Sequence, residues 1–265
     1  RPPISTLFPY TTLFRSQILT QSPSCFDSCN GSLTLQVTGG VPPLEYSINW
    51  NAYSQTGTFS FDSIFIGLCS GTYTQFMVRY SGQCLYQGPQ QTAILTAPDP
   101  IMILSASVTP ISCQGASDGS IQILASGGTG TLTYHLMPSG TSQSSGSFTG
   151  LPPGVYSIGV TDSLGCSTTA GPWILSDPPL LQIDTEVVTN VLCNNQSNGT
   201  VKVTASGGTG AYVFTLLPDG ISNGTGYFAG LSAGFYQVAV SDTKGCNDTS
   251  SWMEIQNPQI GRAHV

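Results

Sequence analysis

Cysteine is the reactive residue type that recurs at regular intervals in this chain. There are eight. Cys113 and Cys166 stand 53 residues apart, as do Cys193 and Cys246, while Cys25 and Cys84 stand 59 apart; Cys29 and Cys69 occur only in the first copy. Thiols at fixed spacing either bind a metal or form disulfides. A zinc site needs paired ligands such as Cys-x-x-Cys, or histidines in register. No Cys-x-x-Cys is present, and His135 is the one histidine away from the C-terminal tail. The spacing therefore reads as a disulfide framework in an oxidising compartment. The pairing it suggests is one clamp per copy, Cys25–Cys84, Cys113–Cys166 and Cys193–Cys246, with Cys29–Cys69 as an extra bridge. Closing a loop of that size stabilises a small domain by about 4 kcal/mol.

Other chemistry has fewer residues to work with. A hydrolytic triad needs a histidine base, and His135 sits in a strand-like segment, set against Phe214 of the next copy. Paired acids could cleave glycosides, but Asp118 becomes Asn198 in the following copy. The segments Gly127-Gly128-Thr129-Gly130 and Gly207-Gly208-Thr209-Gly210 lack the Lys-Ser/Thr ending of a phosphate loop and read as turns. Asp118, Asp162 and Asp242 are hard oxygen donors in loop-like sequence and are the candidate calcium ligands, although no Asp-x-Asp-x-Asp run accompanies them. Trp50 and Tyr53, in a segment peculiar to the first copy, are the candidate ligand contacts, a platform on which sugar rings could stack. Trp173 and Trp252 hold near-equivalent positions and read as packing residues. No cofactor and no catalytic residue is expected.

The elements that would position these residues come in three copies. Cys113, Gly127-Gly128, Phe148, Tyr156 and Cys166 recur 80 residues later as Cys193, Gly207-Gly208, Phe228, Tyr236 and Cys246. A more divergent copy precedes them, with one extra residue between Tyr73 and Val78, as a β-bulge would supply. Proline-rich joints at Ala97-Pro98-Asp99-Pro100, Asp177-Pro178-Pro179 and Asn257-Pro258 end each copy and stiffen the link to the next. The expected boundaries are 17–98, 99–178 and 179–259. Residues 1–16 and 260–265 resemble translated short-read sequencing adapters and are expected to lie outside the fold, the first segment disordered. Setting those ends aside leaves Arg79, Lys202 and Lys244 against thirteen acidic residues, 3 − 13 = −10. So acidic a segment cannot neutralise a phosphate backbone. No apolar run approaches the roughly 20 residues of a membrane-spanning helix.

Within each copy the apolar residues alternate: Leu33, Leu35 and Val37; Ile121, Ile123 and Ala125; Val201, Val203 and Ala205. A period of two marks strands with one buried face. Asn30-Gly31, Asp118-Gly119 and Asn198-Gly199 read as the turns that introduce them. Six or seven short strands in about 80 residues imply an all-β protein of three tandem immunoglobulin-like β-sandwich repeats.

The motifs Cys25-Phe26-Asp27-Ser28-Cys29-Asn30-Gly31-Ser32, Gly67-Leu68-Cys69-Ser70-Gly71-Thr72-Tyr73 and Gly82-Gln83-Cys84, with their counterparts ending in Thr161-Asp162-Ser163-Leu164-Gly165-Cys166, resemble the SprB repeat of Bacteroidetes surface adhesins. The resemblance implies a very long, non-catalytic cell-surface protein, exported by the type IX route in gliding or adhesive bacteria. It carries no catalytic site with it. The partners expected are neighbouring repeats and an extracellular surface or polysaccharide. The alternative expectation is a carbohydrate-binding accessory region of a secreted polysaccharide-degrading enzyme.

Overall fold

The structure is a computed structural model that describes residues 15–39, 42–50, 60–80, 84–87 and 91–258. Its strands fall into three groups. Module 1 comprises β1 (Arg15–Gln21), β2 (Gly31–Thr38), β3 (Leu44–Trp50), β4 (Ile64–Leu68), β5 (Gly71–Tyr80), β6 (Cys84–Gln87) and β7 (Ala93–Leu95). Module 2 comprises β8 (Met102–Thr109), β9 (Gly119–Ser126), β10 (Thr133–Met137), β11 (Thr141–Gln143), β12 (Ser147–Leu151), β13 (Gly154–Thr161) and β14 (Ser167–Leu175). Module 3 comprises β15 (Gln182–Thr189), β16 (Gly199–Ser206), β17 (Val213–Leu217), β18 (Ile221–Asn223), β19 (Tyr227–Leu231), β20 (Gly234–Ser241), β21 (Asn247–Thr249) and β22 (Met253–Ile255).

Every sheet draws its strands from one group. In module 2 a sheet of order β12-β9-β8 faces a sheet of order β11-β10-β13-β14, and module 3 repeats this with β15-β16-β19 against β18-β17-β20-β21. Module 1 pairs β1-β2-β4 with β3-β5-β6. All pairings are antiparallel, so these are immunoglobulin-like sandwiches.

The alternating residues form the cores. Leu33, Ile121, Val201 and Val203 are fully buried, as are Ile158, Val160, Val238 and Val240 from the facing sheet. Each module has its own buried cluster. The extra residue of module 1 is Gln75: Ile48 faces Phe76 and Asn49 faces Thr74, leaving Gln75 bulged out of the ladder.

Three sequence expectations need correction. First, β1 begins inside the segment expected to be disordered, because Arg15 and Ser16 pair with Thr38 and Val37. Backbone pairing needs no particular side chain, so a strand runs on wherever its partner offers free groups. Second, the glycines of the Asn30-Gly31, Asp118-Gly119 and Asn198-Gly199 pairs, read as turns, are instead the first residues of strands, where packing requires them. A Cβ on Gly119 would lie 2.8 Å from Leu175 Cδ1 and 3.0 Å from the Leu151 carbonyl, and one on Gly199 would meet Ile255 and Leu231 in the same way. Third, the cross-strand register equates His135 with Thr215, not Phe214, since Leu136 faces Ile158 as Leu216 faces Val238. Their side chains play one part: His135 Nδ1 lies 2.7 Å from Ser142 Oγ, and Thr215 Oγ1 lies 2.8 Å from Ser222 Oγ.

Candidate functional site: the cross-linked junction between modules

Strand direction fixes where each cysteine can go. β8 runs from the entry pole of module 2 to its exit pole, and Cys113 follows in the loop there. Five strands later the chain is back at the entry pole, where the turn 162–166 places Cys166 ahead of β14. An odd number of antiparallel crossings separates the two cysteines, so they occupy opposite ends of the sandwich. The eight residues of β9 span about 26 Å at roughly 3.3 Å each, whereas a disulfide needs its Cα atoms within about 7 Å. A clamp within one module is geometrically closed.

The structure makes the bridges across modules instead. Cys25 of module 1 bonds Cys166 of module 2, and Cys113 of module 2 bonds Cys246 of module 3, each with a Cα–Cα distance of 5.6 Å. These bonds replace the expected Cys25–Cys84, Cys113–Cys166 and Cys193–Cys246 pairs. Head-to-tail stacking sets the exit pole of one module on the entry pole of the next, which is the one place where the two kinds of loop meet. Cys113 packs against the core of module 3, not that of its own module. Cys29 and Cys69 are joined within module 1. Cys193 is free and exposed. Cys84 begins β6, and its side chain lies outside the described residues.

The entry-pole cysteine is held by the aspartate four residues before it. Asp162 Oδ1 accepts the N–H groups of Leu164 and Cys166, both at 2.9 Å, while Oδ2 accepts that of Thr129 at 2.8 Å. Asp242 does the same for Lys244, Cys246 and Thr209 at 2.8, 3.0 and 2.6 Å. Burial pushes the Asp162 carboxyl up, but the N–H groups of Thr129, Cys166, Leu164 and Gly165 outweigh it and hold the group below the ordinary carboxylate range. Asp242 is lowered by the same balance. A carboxylate that accepts several backbone N–H groups stays ionised.

Through Thr129 the aspartate also fixes the Gly127-Gly128 turn, and that turn grips the inter-module linker. The Gly128 N–H donates to the Asp99 carbonyl at 2.8 Å, and Gly208 donates to Pro179 at 2.9 Å. Gly127 has φ of 89°, and a Cβ there would lie 2.0 Å from the Pro100 carbonyl oxygen. Glycine is therefore required, both for the left-handed backbone and for the close approach of the linker.

The exit-pole loop has its own lock, the same in all three modules. Asn30, Asp118 and Asn198 each accept, through Oδ1, the N–H of the residue preceding the cysteine: Ser24 at 2.9 Å, Ser112 at 3.0 Å and Leu192 at 3.0 Å. Side-chain and backbone hydrogen bonds from Ser112 hold Asp118 below the ordinary carboxylate range, and Lys244 across the junction adds to this. Asp177 in the linker accepts the Gly115 N–H at 2.9 Å and ties the linker to the loop.

The three candidate calcium ligands are thus dispersed. Asp162 and Asp242 stand on different modules and are occupied by amides, and Asp118 caps a loop. Among the described residues no group of three or more His, Cys, Asp or Glu side chains could hold a metal ion. Of the ligand-contact candidates, Trp50 ends β3 but its side chain is outside the described residues, as is Tyr53 altogether. Trp173 packs on the module 2 core opposite Tyr156, while the residue opposite Tyr236 is Met253, so Trp252 sits one position off and is 63% exposed.

One set of positions went unread in the sequence as more than core. Tyr73, Tyr156 and Tyr236 each donate the phenol O–H to the carbonyl four residues upstream, Cys69 at 2.8 Å, Pro152 at 2.9 Å and Ser232 at 3.1 Å. This is the tyrosine corner that braces sandwich loops. The signal was the Gly-x-Tyr triplet itself, repeated in all three copies.

Fold and junction together define a tandem array of immunoglobulin-like sandwiches, cross-linked head to tail. The model of the SprB repeat family matches this chain three times, once in each module, at residues 19–52, 105–141 and 185–220. Each match takes in the exit-pole cysteine of one module and ends before the entry-pole cysteine. A comparison with curated proteins finds no match. Among solved structures, the chain is similar to three N-terminal domains of the bacteriophage RB49 highly immunogenic outer capsid protein, at 12% identity and a TM-score of 0.46, covering 93% of this chain and 100% of that one. The FN1–FN3 domains of chicken CNTN1 match at 13% identity and a TM-score of 0.35, over 90% of this chain and 96% of that one. The ectodomain of mouse nectin-like molecule 4 matches at 11% and 0.31, over 92% and 95%.

Proposed function

We propose that this chain is a non-catalytic segment of a large exported bacterial surface protein, serving as a stalk that carries adhesive or gliding contacts away from the cell. The observation that supports it is the bridging pattern. Cys25–Cys166 and Cys113–Cys246 enclose overlapping loops with separations of 141 and 133 residues. Tension applied along the array passes through Cys29–Cys69 and Cys113–Cys246, with Cys25–Cys166 as an alternative path of nearly the same length, and bypasses most of the hydrogen-bonded strands. A protein that holds a surface at a distance against flow needs this property, whereas a lone binding domain does not. Many weak contacts repeated on one chain raise avidity by about 10² to 10⁴, so an adhesive array needs no deep pocket. The oxidising compartment that disulfides require supports an extracellular location, and no helix among the described residues is long and apolar enough to cross a membrane.

Antibodies raised against the chain should label intact cells of the source bacterium, and the soluble chain should compete with cell attachment. Labelling that requires permeabilised cells would overturn the proposal. Exposed Trp252 and Phe235 favour the second reading, a carbohydrate-binding accessory region. Saturable signal on a glycan array, abolished by Trp252→Ala, would establish that reading in place of the first.

A further inference from the structure

We infer that Cys193 is a covalent docking point for the entry-pole cysteine of a further module of this kind, set on module 3 as module 3 is set on module 2. The inference is independent of what the array adheres to. Cys193 is the third member of a series whose other two members are already bonded. Cys25 and Cys113 each bond the next module's entry-pole cysteine, with the same 5.6 Å Cα–Cα distance. The loop around Cys193 has the geometry of those bonded loops. The Cys193 carbonyl accepts the Gln196 N–H at 3.2 Å, as Cys25 accepts Ser28 at 3.1 Å and Cys113 accepts Ala116 at 3.0 Å. Asn198 locks Leu192 at 3.0 Å, as Asp118 locks Ser112.

The left-handed backbone of the bonded Cys113 loop is kept as well. Asn195 is the one described non-glycine residue with positive φ, at 60°, and it occupies the place of Gly115, at 75°. Asparagine is one of the few residues besides glycine that adopt this conformation readily, so the loop keeps the shape of the docked Cys113 loop without a neighbour to impose it. Beside the thiol, Leu192 is 76% exposed, an apolar side chain at the pole where a next module would sit. The partner this site fits is a turn of the Asp-x-x-Gly-Cys type, as in Asp162–Cys166 and Asp242–Cys246, whose cysteine the aspartate presents.

The bond forms by thiol–disulfide exchange with a small-molecule disulfide such as oxidised glutathione. The Cys193 thiolate attacks one glutathione sulfur, the S–S bond breaks and one glutathione thiolate leaves. The incoming cysteine thiolate then attacks Cys193 Sγ and expels the second glutathione. Two protein thiols are oxidised to a disulfide, one glutathione disulfide is reduced to two thiols, and the two protons go to the departing thiolates.

The test extends the full chain after Pro258 with a second copy of residues 179–258, refolds it in a glutathione redox buffer, alkylates free thiols and maps peptides without reductant. The expected product links Cys193 to the added cysteine that copies Cys246, while the added copy of Cys193 is alkylated. In the Cys193→Ser version the added closing cysteine should become alkylated, with the Cys25–Cys166 and Cys113–Cys246 peptides retained as proof of folding. Alkylated Cys193 in a chain that keeps those two bridges, or an added copy that pairs its own two cysteines, overturns the inference.

Discussion

Pulling the oxidised chain from its two ends distinguishes bridges between modules from clamps within them. Once the modules are unfolded by force, residues inside a bridged loop carry no tension, and the measured length is that of the shortest covalent route. With the attachment points at Arg15 and Pro258, the backbone route between them is 258 − 15 = 243 residue steps. The shortest route crosses Cys29–Cys69 and Cys113–Cys246, which remove 40 and 133 of them and leave 243 − 40 − 133 = 70. At roughly 3.5 Å per extended residue this is about 250 Å, against about 850 Å for the reduced chain. The bridges also predict an asymmetry. With Cys113→Ser and Cys246→Ser the route must use Cys25–Cys166, leaving 243 − 141 = 102 residues, an increase of 32, or about 110 Å. With Cys25→Ser and Cys166→Ser the original route survives and the length does not change. Single-molecule force spectroscopy with and without reductant reads these lengths directly. Clamps within modules would give a different pattern: removing Cys113 would free the 53 residues to Cys166, about 185 Å, and removing Cys25 would also lengthen the chain. Either result refutes the cross-module route.

Further expectations concern the residues that hold the junction. In Asp162→Asn an amide nitrogen must face the Thr129 N–H, donor against donor, so the variant should lose about 1–3 kcal/mol by denaturant titration; wild-type stability would show that the carboxylate is not needed. Because the folded-state Asp162 and Asp242 carboxyls lie below their ordinary range, their contribution is complete above the unfolded carboxylate range and is lost as pH falls through it toward the folded value. Melting temperature should therefore hold from neutral pH to about pH 5 and drop below about pH 4, and the drop should be smaller in Asp242→Asn. Asp118→Asn should melt with wild type, since Asn30 and Asn198 already do that work in the other modules, and calcium titration should give no heat; a calcium-dependent rise in melting temperature would contradict this account of the aspartates. Tyr156→Phe removes the corner hydrogen bond to Pro152 and should cost about 0.5–1.5 kcal/mol, visible as a lower melting temperature for module 2, whereas an unchanged melt would mean that the corner braces nothing.

The repeat, the strands and their buried faces were legible in the sequence because they depend on local pattern. Leu33, Ile121 and Val201 alternate with polar neighbours, and period two has one structural meaning. The Gly127-Gly128 turn and the proline joints were equally local. Cysteine pairing was not local. Spacing within each copy suggested the nearest partner along the chain, and the count of 53 residues between Cys113 and Cys166 says nothing about which pole each occupies. That depends on how many times the chain crosses the sandwich between them, and the answer came with the antiparallel pairing of β9 through β14. The part played by Asp162 was hidden for the same reason, since its partner Thr129 lies 33 residues away and meets it only when two turns share a pole. Sequence alone thus determined what each module is made of. The tertiary structure decided which module each sulfur belongs to, because a covalent bond a few ångströms long can join only groups that the fold has already brought to one end.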